Sequence, residues 1–100
     1  MALIYITCKD RKEARKISSC LLKKRLVACS NMFPIESLYW WKGKIVDGKE
    51  YVILAKTLNK NVDKVRKEVR KMHSYEIPCI ININCGANDN CLDWVKKEVR

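Results

Sequence analysis

A chain of 100 residues has room for one compact domain, 1–100, of roughly 13 Å radius of gyration, with a core modest enough that association between chains is expected to add to it. Lys and Arg outnumber Asp and Glu by 21 to 11, a formal net charge of +10, which permits anionic partners without choosing between nucleic acid, a membrane surface and an acidic ligand. The apolar start, Met1 to Cys8, runs into Lys9, Asp10, Arg11 and Lys12, too short for a membrane span or a signal-peptide core, so the six cysteines are expected as reduced thiols in a cytoplasmic protein.

Leu3 to Thr7, rich in β-branched and aromatic residues, predicts a first strand. Asp10 is placed to cap a helix in which Ala14, Ile17, Leu21 and Leu22 recur at helical spacing as far as about Arg25. Leu26 to Met32 predicts a second strand that Pro34 breaks or bulges, since proline cannot donate to a ladder, and that resumes from Ser37 to Val46. Asp47-Gly48 is the strongest hairpin signal in the chain, because a type I′ turn needs positive φ at both central residues. It predicts a third strand from Lys49 to Thr57 and pairs Val46 with Lys49, Trp41 with Leu54 and Tyr39 with Lys56.

Val62, Val65, Val69 and Met72 form a narrow apolar stripe on a second helix. Glu76 to Cys85 predicts a fourth strand with Ile77, Cys79, Ile81, Ile83 and Cys85 on one face, and Leu92, Trp94, Val95 and Val99 mark a terminal helix. The order β-α-β-β-α-β plus a helix is that of an α+β, ferredoxin-like antiparallel sheet with both main helices on one side.

The predicted hairpin is too long for a domain of this size and must bend or project. One face carries Ser37, Tyr39, Trp41, Gly43 and Ile45 with Glu50, Val52, Leu54 and Lys56; the other carries Leu38, Trp40, Val46, Tyr51, Ile53 and Ala55. Both are substantially apolar, whereas a sheet covered on one side should show one polar face. A homo-oligomer is therefore expected, with hairpins meeting edge to edge.

These segments resemble the CutA divalent-cation tolerance family. The resemblance runs through Ala28-Cys29-x-Asn31, Pro34, Ser37-x-Tyr39-x-Trp41-x-Gly43-x-Ile45, Glu50, Lys56-Thr57, His73-x-Tyr75-Glu76-x-Pro78 and Leu92-x-Trp94, and covers nearly the whole chain. Ser74, Cys79 and Cys91 depart from it, standing where the family usually has proline, an acidic residue and tyrosine. The resemblance implies a homotrimer, a role in tolerance to copper and other divalent ions, and a metal site drawing on Cys8, Cys29 and His73.

Thiolate and imidazole suit copper, and thiolate favours Cu(I). No CxxC or HxxxH spacing supports a local site, however, and each of the three residues also has a plain structural reading, the cysteines as small buried hydrophobes and His73 as a helix-terminal cation. The topology is read as placing Cys8 and His73 at opposite ends of one domain, so that either a shared site draws on neighbouring subunits or there are two separate partial sites. Cys79, Cys85 and Cys91 are expected as packed, inert thiols.

Tyr39, Trp41, Glu50 and Lys56 share a hairpin face and are a candidate small-ligand pocket at a subunit boundary; the alternative is that Glu50 and Lys56 pair between subunits. No nucleophile triad or phosphate loop appears, so no enzyme is expected. A basic nucleic-acid-binding protein is the weaker alternative, because no RNP or helix-turn-helix pattern accompanies the charge. A trimeric signalling module of the PII kind, binding a small effector in its subunit clefts, is the stronger one.

Overall fold

A computed structural model describes all of residues 1–100. Its elements are β1 (Ala2–Cys8), α1 (Arg11–Lys23), β2 (Cys29–Trp41), β3 (Lys44–Thr57), a 3-10 turn (Asn59–Asn61), α2 (Val62–Met72), β4 (Ile80–Asn84) and α3 (Asp89–Glu98). The sheet is antiparallel in the order β2-β3-β1-β4. This is the ferredoxin-like α+β arrangement with a long β2-β3 hairpin and a C-terminal helix. No helix is long and apolar enough to cross a membrane.

The core lies between one sheet face and the two main helices. Ile4, Ile6 and Cys8 of β1 and Ile53 and Ala55 of β3 meet Ala14, Ile17 and Leu21 of α1 and Val65 and Val69 of α2. β1 alternates strictly, with Ala2, Ile4, Ile6 and Cys8 buried and Leu3, Tyr5 and Thr7 half-buried on the open face. Asp10 caps α1 as its sequence position predicts, its Oδ1 accepting from the Glu13 N–H at 2.8 Å. α3 is tied back by the Arg100 N–H to the Arg25 carbonyl at 3.0 Å and by an Arg25–Glu98 ion pair at 2.7 Å.

Two expectations for β2 fail together. Pro34 does not interrupt it, because β2 is an edge strand and an edge strand needs only alternate N–H groups for its ladder; Pro34 lies opposite Tyr51. Nor does the chain reverse at Asp47-Gly48. The turn is at Lys42-Gly43, whose φ values of 49° and 78° are those of a type I′ turn, while Asp47 and Gly48 sit within β3 opposite Leu38 and Ser37.

Ladder length decides between the two. A turn at Asp47-Gly48 would set Thr57, the last residue of β3, opposite Leu38 and leave Cys29 to Ser37 without partners. A turn at Lys42-Gly43 pairs every residue of β2, from Cys29 with Lys56 to Trp41 with Lys44. The predicted pairs Trp41–Leu54 and Tyr39–Lys56 give way to Trp41–Lys44 and Tyr39–Val46. Most face assignments survive, because moving the turn by five residues shifts the register by an even number. Ile45 and Val46 exchange faces, Ile45 now facing Trp40 and Val46 facing Tyr39.

β1 supports β3 only from Tyr51 to Thr57, so Ile35 to Glu50 forms a two-stranded arm. This arm beyond the two-layer body of sheet and helices stretches the molecule to 44 Å along its longest axis, against 25 and 20 Å across, with a radius of gyration of 14.0 Å. The fourth strand is shorter than the Glu76–Cys85 predicted. Pro78 cannot donate to a ladder, and pairing with β1 starts only where Ile80 meets Ile6.

Candidate functional site

β3 lies antiparallel to β1, and α2 reverses direction after β3, so β1 and α2 run toward the same end of the molecule. Cys8 closes the first and His73 follows the second. The expectation that they lie at opposite ends is therefore wrong: a ligand atom from each of Cys8, Glu13 and His73 falls within 4.8 Å of the others. Cys29 does not join them. It pairs with Lys56 at the far end of β3, five positions from the Tyr51 that faces Cys8, which is about 17 Å at the rise of a strand.

Two members of the trio, Glu13 and His73, are held by backbone contacts, and Cys8 by burial alone. Glu13 Oε1 accepts from the Lys9 N–H and its Oε2 from the Ser74 N–H, both at 3.0 Å. The Tyr75 N–H donates to His73 Nδ1 at 3.1 Å, which leaves the proton on Nε2 to donate to the Thr7 carbonyl at 2.8 Å. Burial would push the Glu13 carboxyl up, but the hydrogen bonds from Ser74 and Lys9 and the nearby His73 outweigh it and hold it below its ordinary value. The Cys8 thiol is pushed up to about 12, chiefly by burial and then by the carboxylates of Glu13, Glu50 and Asp10. A thiolate at Cys8 therefore needs a cation to stabilise it.

Sequence reasoning missed Glu13. Its signal was present, since Asp10-x-x-Glu13 is a capping-box spacing in which the acid at the third helical position reaches back over the N-terminus. Here it reaches one residue further, to Lys9, and is free to meet the 73–75 segment as well.

That segment is also the wall of a cavity. Thr7, Tyr39, Trp41, Glu50, Ser74, Tyr75, Glu76, Ile77 and Cys79 enclose about 440 Å³ on the sheet face opposite the helices. The Tyr75 hydroxyl donates to Glu50 Oε2 at 2.6 Å, and burial together with this bond raises the phenol well above its ordinary range. The expected pocket of Tyr39, Trp41, Glu50 and Lys56 is thus three-quarters present. Lys56 is elsewhere, its Nζ donating to Asn31 Oδ1 at 3.0 Å and to Cys29 Sγ at 3.5 Å. The actual neighbour of Glu50 comes from the loop after α2, which register arguments on the hairpin cannot reach.

The trailing cysteines also differ from expectation. Cys79 lies outside β4 and is exposed, and Cys85 and Cys91 are only partly buried. The face assigned to Cys79 and Cys85 with Ile81 and Ile83 is the open side of the sheet, where those isoleucines are 48% and 47% exposed.

The sequence model of the family described as CutA1 divalent ion tolerance protein matches residues 2–98. The chain belongs to that family. A CutA divalent-cation tolerance protein of Archaeoglobus fulgidus is 45% identical over 98 residues, 96% of this chain and 95% of that one. A solved structure from Archaeoglobus fulgidus, described as that of the periplasmic divalent cation tolerance protein CutA, superposes with a TM-score of 0.97 at 42% identity over the whole of both chains. The crystal structure of CutA1 from Pyrococcus horikoshii gives 0.96 at 33% identity, covering 100% of this chain and 99% of that one. A PII-like protein CutA from Nostoc is 23% identical with a TM-score of 0.93, over 100% of this chain and 98% of that one, a likeness of fold alone. This CutA-family chain is accordingly a tolerance-type protein, not an enzyme.

Proposed function

We propose that this CutA-family protein is a cytoplasmic homotrimer that binds copper or another divalent metal ion and so supports metal tolerance, with Cys8, Glu13 and His73 as the metal ligands of each chain. The convergence of those three donors within 4.8 Å carries the reading. A thiophilic ion would displace the Cys8 proton and draw His73 or Glu13 from its backbone partners, so binding is coupled to the 73–75 segment. Cys29 is assigned to the fold, through Lys56 and Asn31.

Competition titration of reduced protein with Cu(I) tests the ligand set. Cys8→Ser, Glu13→Gln and His73→Ala should each weaken binding at least about tenfold, and Cys29→Ser should leave it unchanged. Equal affinity in all four variants would reject the trio.

The trimer reading rests on the arm, where Leu38, Trp40 and Ile45 are 74%, 73% and 63% exposed, too much clustered apolar surface for a free monomer. Sedimentation equilibrium should return the mass of three 11.7-kDa chains.

The 440 Å³ cavity favours a second reading, an effector-binding module of the PII kind; its size suits a small ligand. A thermal-shift screen of metals and small molecules separates the two, since whatever binds the folded state raises apparent stability.

A further inference from the structure

The charge of the cavity is opposite to that of the protein. In a chain of net charge +10, two carboxylates, Glu50 and Glu76, line it and no Lys, Arg or His does. Its remaining polar side chains are uncharged. Three aromatic rings, Tyr39, Trp41 and Tyr75, complete the wall. Rings attract cations through their negative faces, and a carboxylate beside them adds direct attraction, so this combination recognises substituted ammonium groups. Trp41 already behaves in this way, with Lys42 Nζ 5.7 Å from its ring centroid, and Lys42 is not among the cavity residues.

Glu50 is positioned for the task. Its Oε2 is fixed by the Tyr75 hydroxyl at 2.6 Å, and its Oε1 has no hydrogen-bond partner in the chain. A nucleotide, by contrast, would bring phosphates against two carboxylates with no basic side chain to receive them.

We propose that the cavity binds a small organic cation, an alkyl-substituted ammonium compound, held by Tyr39, Trp41 and Tyr75 against Glu50 with Glu76 at the side. This rests on the effector reading of the same cavity and names its ligand class.

The test is calorimetric titration of the intact protein with three probes: choline, its uncharged tert-butyl isostere, and ATP. Choline should bind at least about tenfold more tightly than the isostere, and ATP should not bind. Glu50→Gln, which keeps an acceptor for Tyr75, and the exposed Glu76→Gln should each weaken choline severalfold while circular dichroism stays unchanged. Equal affinity for choline and the isostere, or tighter binding of ATP, overturns the cationic class and leaves the effector reading standing. Failure of all three probes, with no shift of the Trp41 indole resonance, overturns both.

Discussion

The base and the arm of the hairpin are built from the same two strands, yet they are different materials. At the base, Val52, Ile53 and Ala55 are fully buried, and β1 pairs with β3 along its length. A few residues further on, Leu38, Trp40 and Ile45 project into solvent from a ribbon supported only by its own cross-strand pairs. Leu38, Trp40 and Ile45 are as strand-prone as Val52 and Ile53, so propensity does not explain their difference in exposure; depth of tertiary cover does. A two-stranded ribbon is marginal alone, so the base is a property of the chain, and the arm is where the proposed trimer would supply cover.

The sharpest test compares equivalent truncations in the two regions. Ile53→Ala should cost about 2–5 kcal/mol in guanidinium unfolding, as buried large-to-small changes do, and the loss should not depend on protein concentration. Leu38→Ala should act through association, its effect largest at concentrations where the subunits are joined and fading on dilution as they separate. Identical, concentration-independent losses would erase the distinction between base and arm.

Next in size is the polar corner that anchors the base. Glu13→Ala strands the Lys9 and Ser74 N–H groups, costing about 1–3 kcal/mol. Because the folded-state value of Glu13 lies below its ordinary 4.5, its contribution is fully present above that pH and is lost as the pH falls through the lowered folded value. Glu13→Gln should therefore flatten the acid limb of a stability-against-pH curve, whereas a substitution in the arm such as Trp40→Phe should leave its shape unchanged.

What could be read in the sequence follows the same division. The β1 alternation, the α1 cap at Asp10 and the valine stripe of α2 are local patterns, and each appears where periodicity puts it. The hairpin turn was misplaced because Asp47-Gly48 is the better dipeptide in isolation, and only the requirement that Cys29 to Ser37 find partners overrules it. The Cys8–His73 encounter was missed through a reversed helix direction, an error of topology. Ser74 and Tyr75 could not be placed against Glu13 and Glu50, because an irregular segment carries no period to fix where it lies.

The glycines give a smaller, signed test of the turn. Gly43 holds φ at +78°, so Gly43→Ala should destabilise by about 1 kcal/mol. Gly48 has ordinary strand geometry with open space where a Cβ would lie, and Gly48→Ala should be neutral or stabilise by about 0.5 kcal/mol. The opposite pair of signs would restore the turn to Asp47-Gly48. Lys42 at φ 49° is the residue strained by the actual turn, and Lys42→Gly should relieve it by a few tenths of a kcal/mol.

The smallest expected effect on stability has the widest spread in rate. Cys8 is fully buried and its thiol is pushed up to about 12, against an ordinary 9.0, so at mildly alkaline pH it holds roughly a thousandth of the thiolate of an ordinary cysteine. Cys79 is exposed at the rim of the cavity. Timed alkylation with iodoacetamide followed by mass spectrometry should label Cys79 early and Cys8 only as fast as the base of the fold opens. Labelling of Cys8 at the rate of Cys79 in folded protein would mean that the polar corner opens locally and that the base is no more closed than the arm.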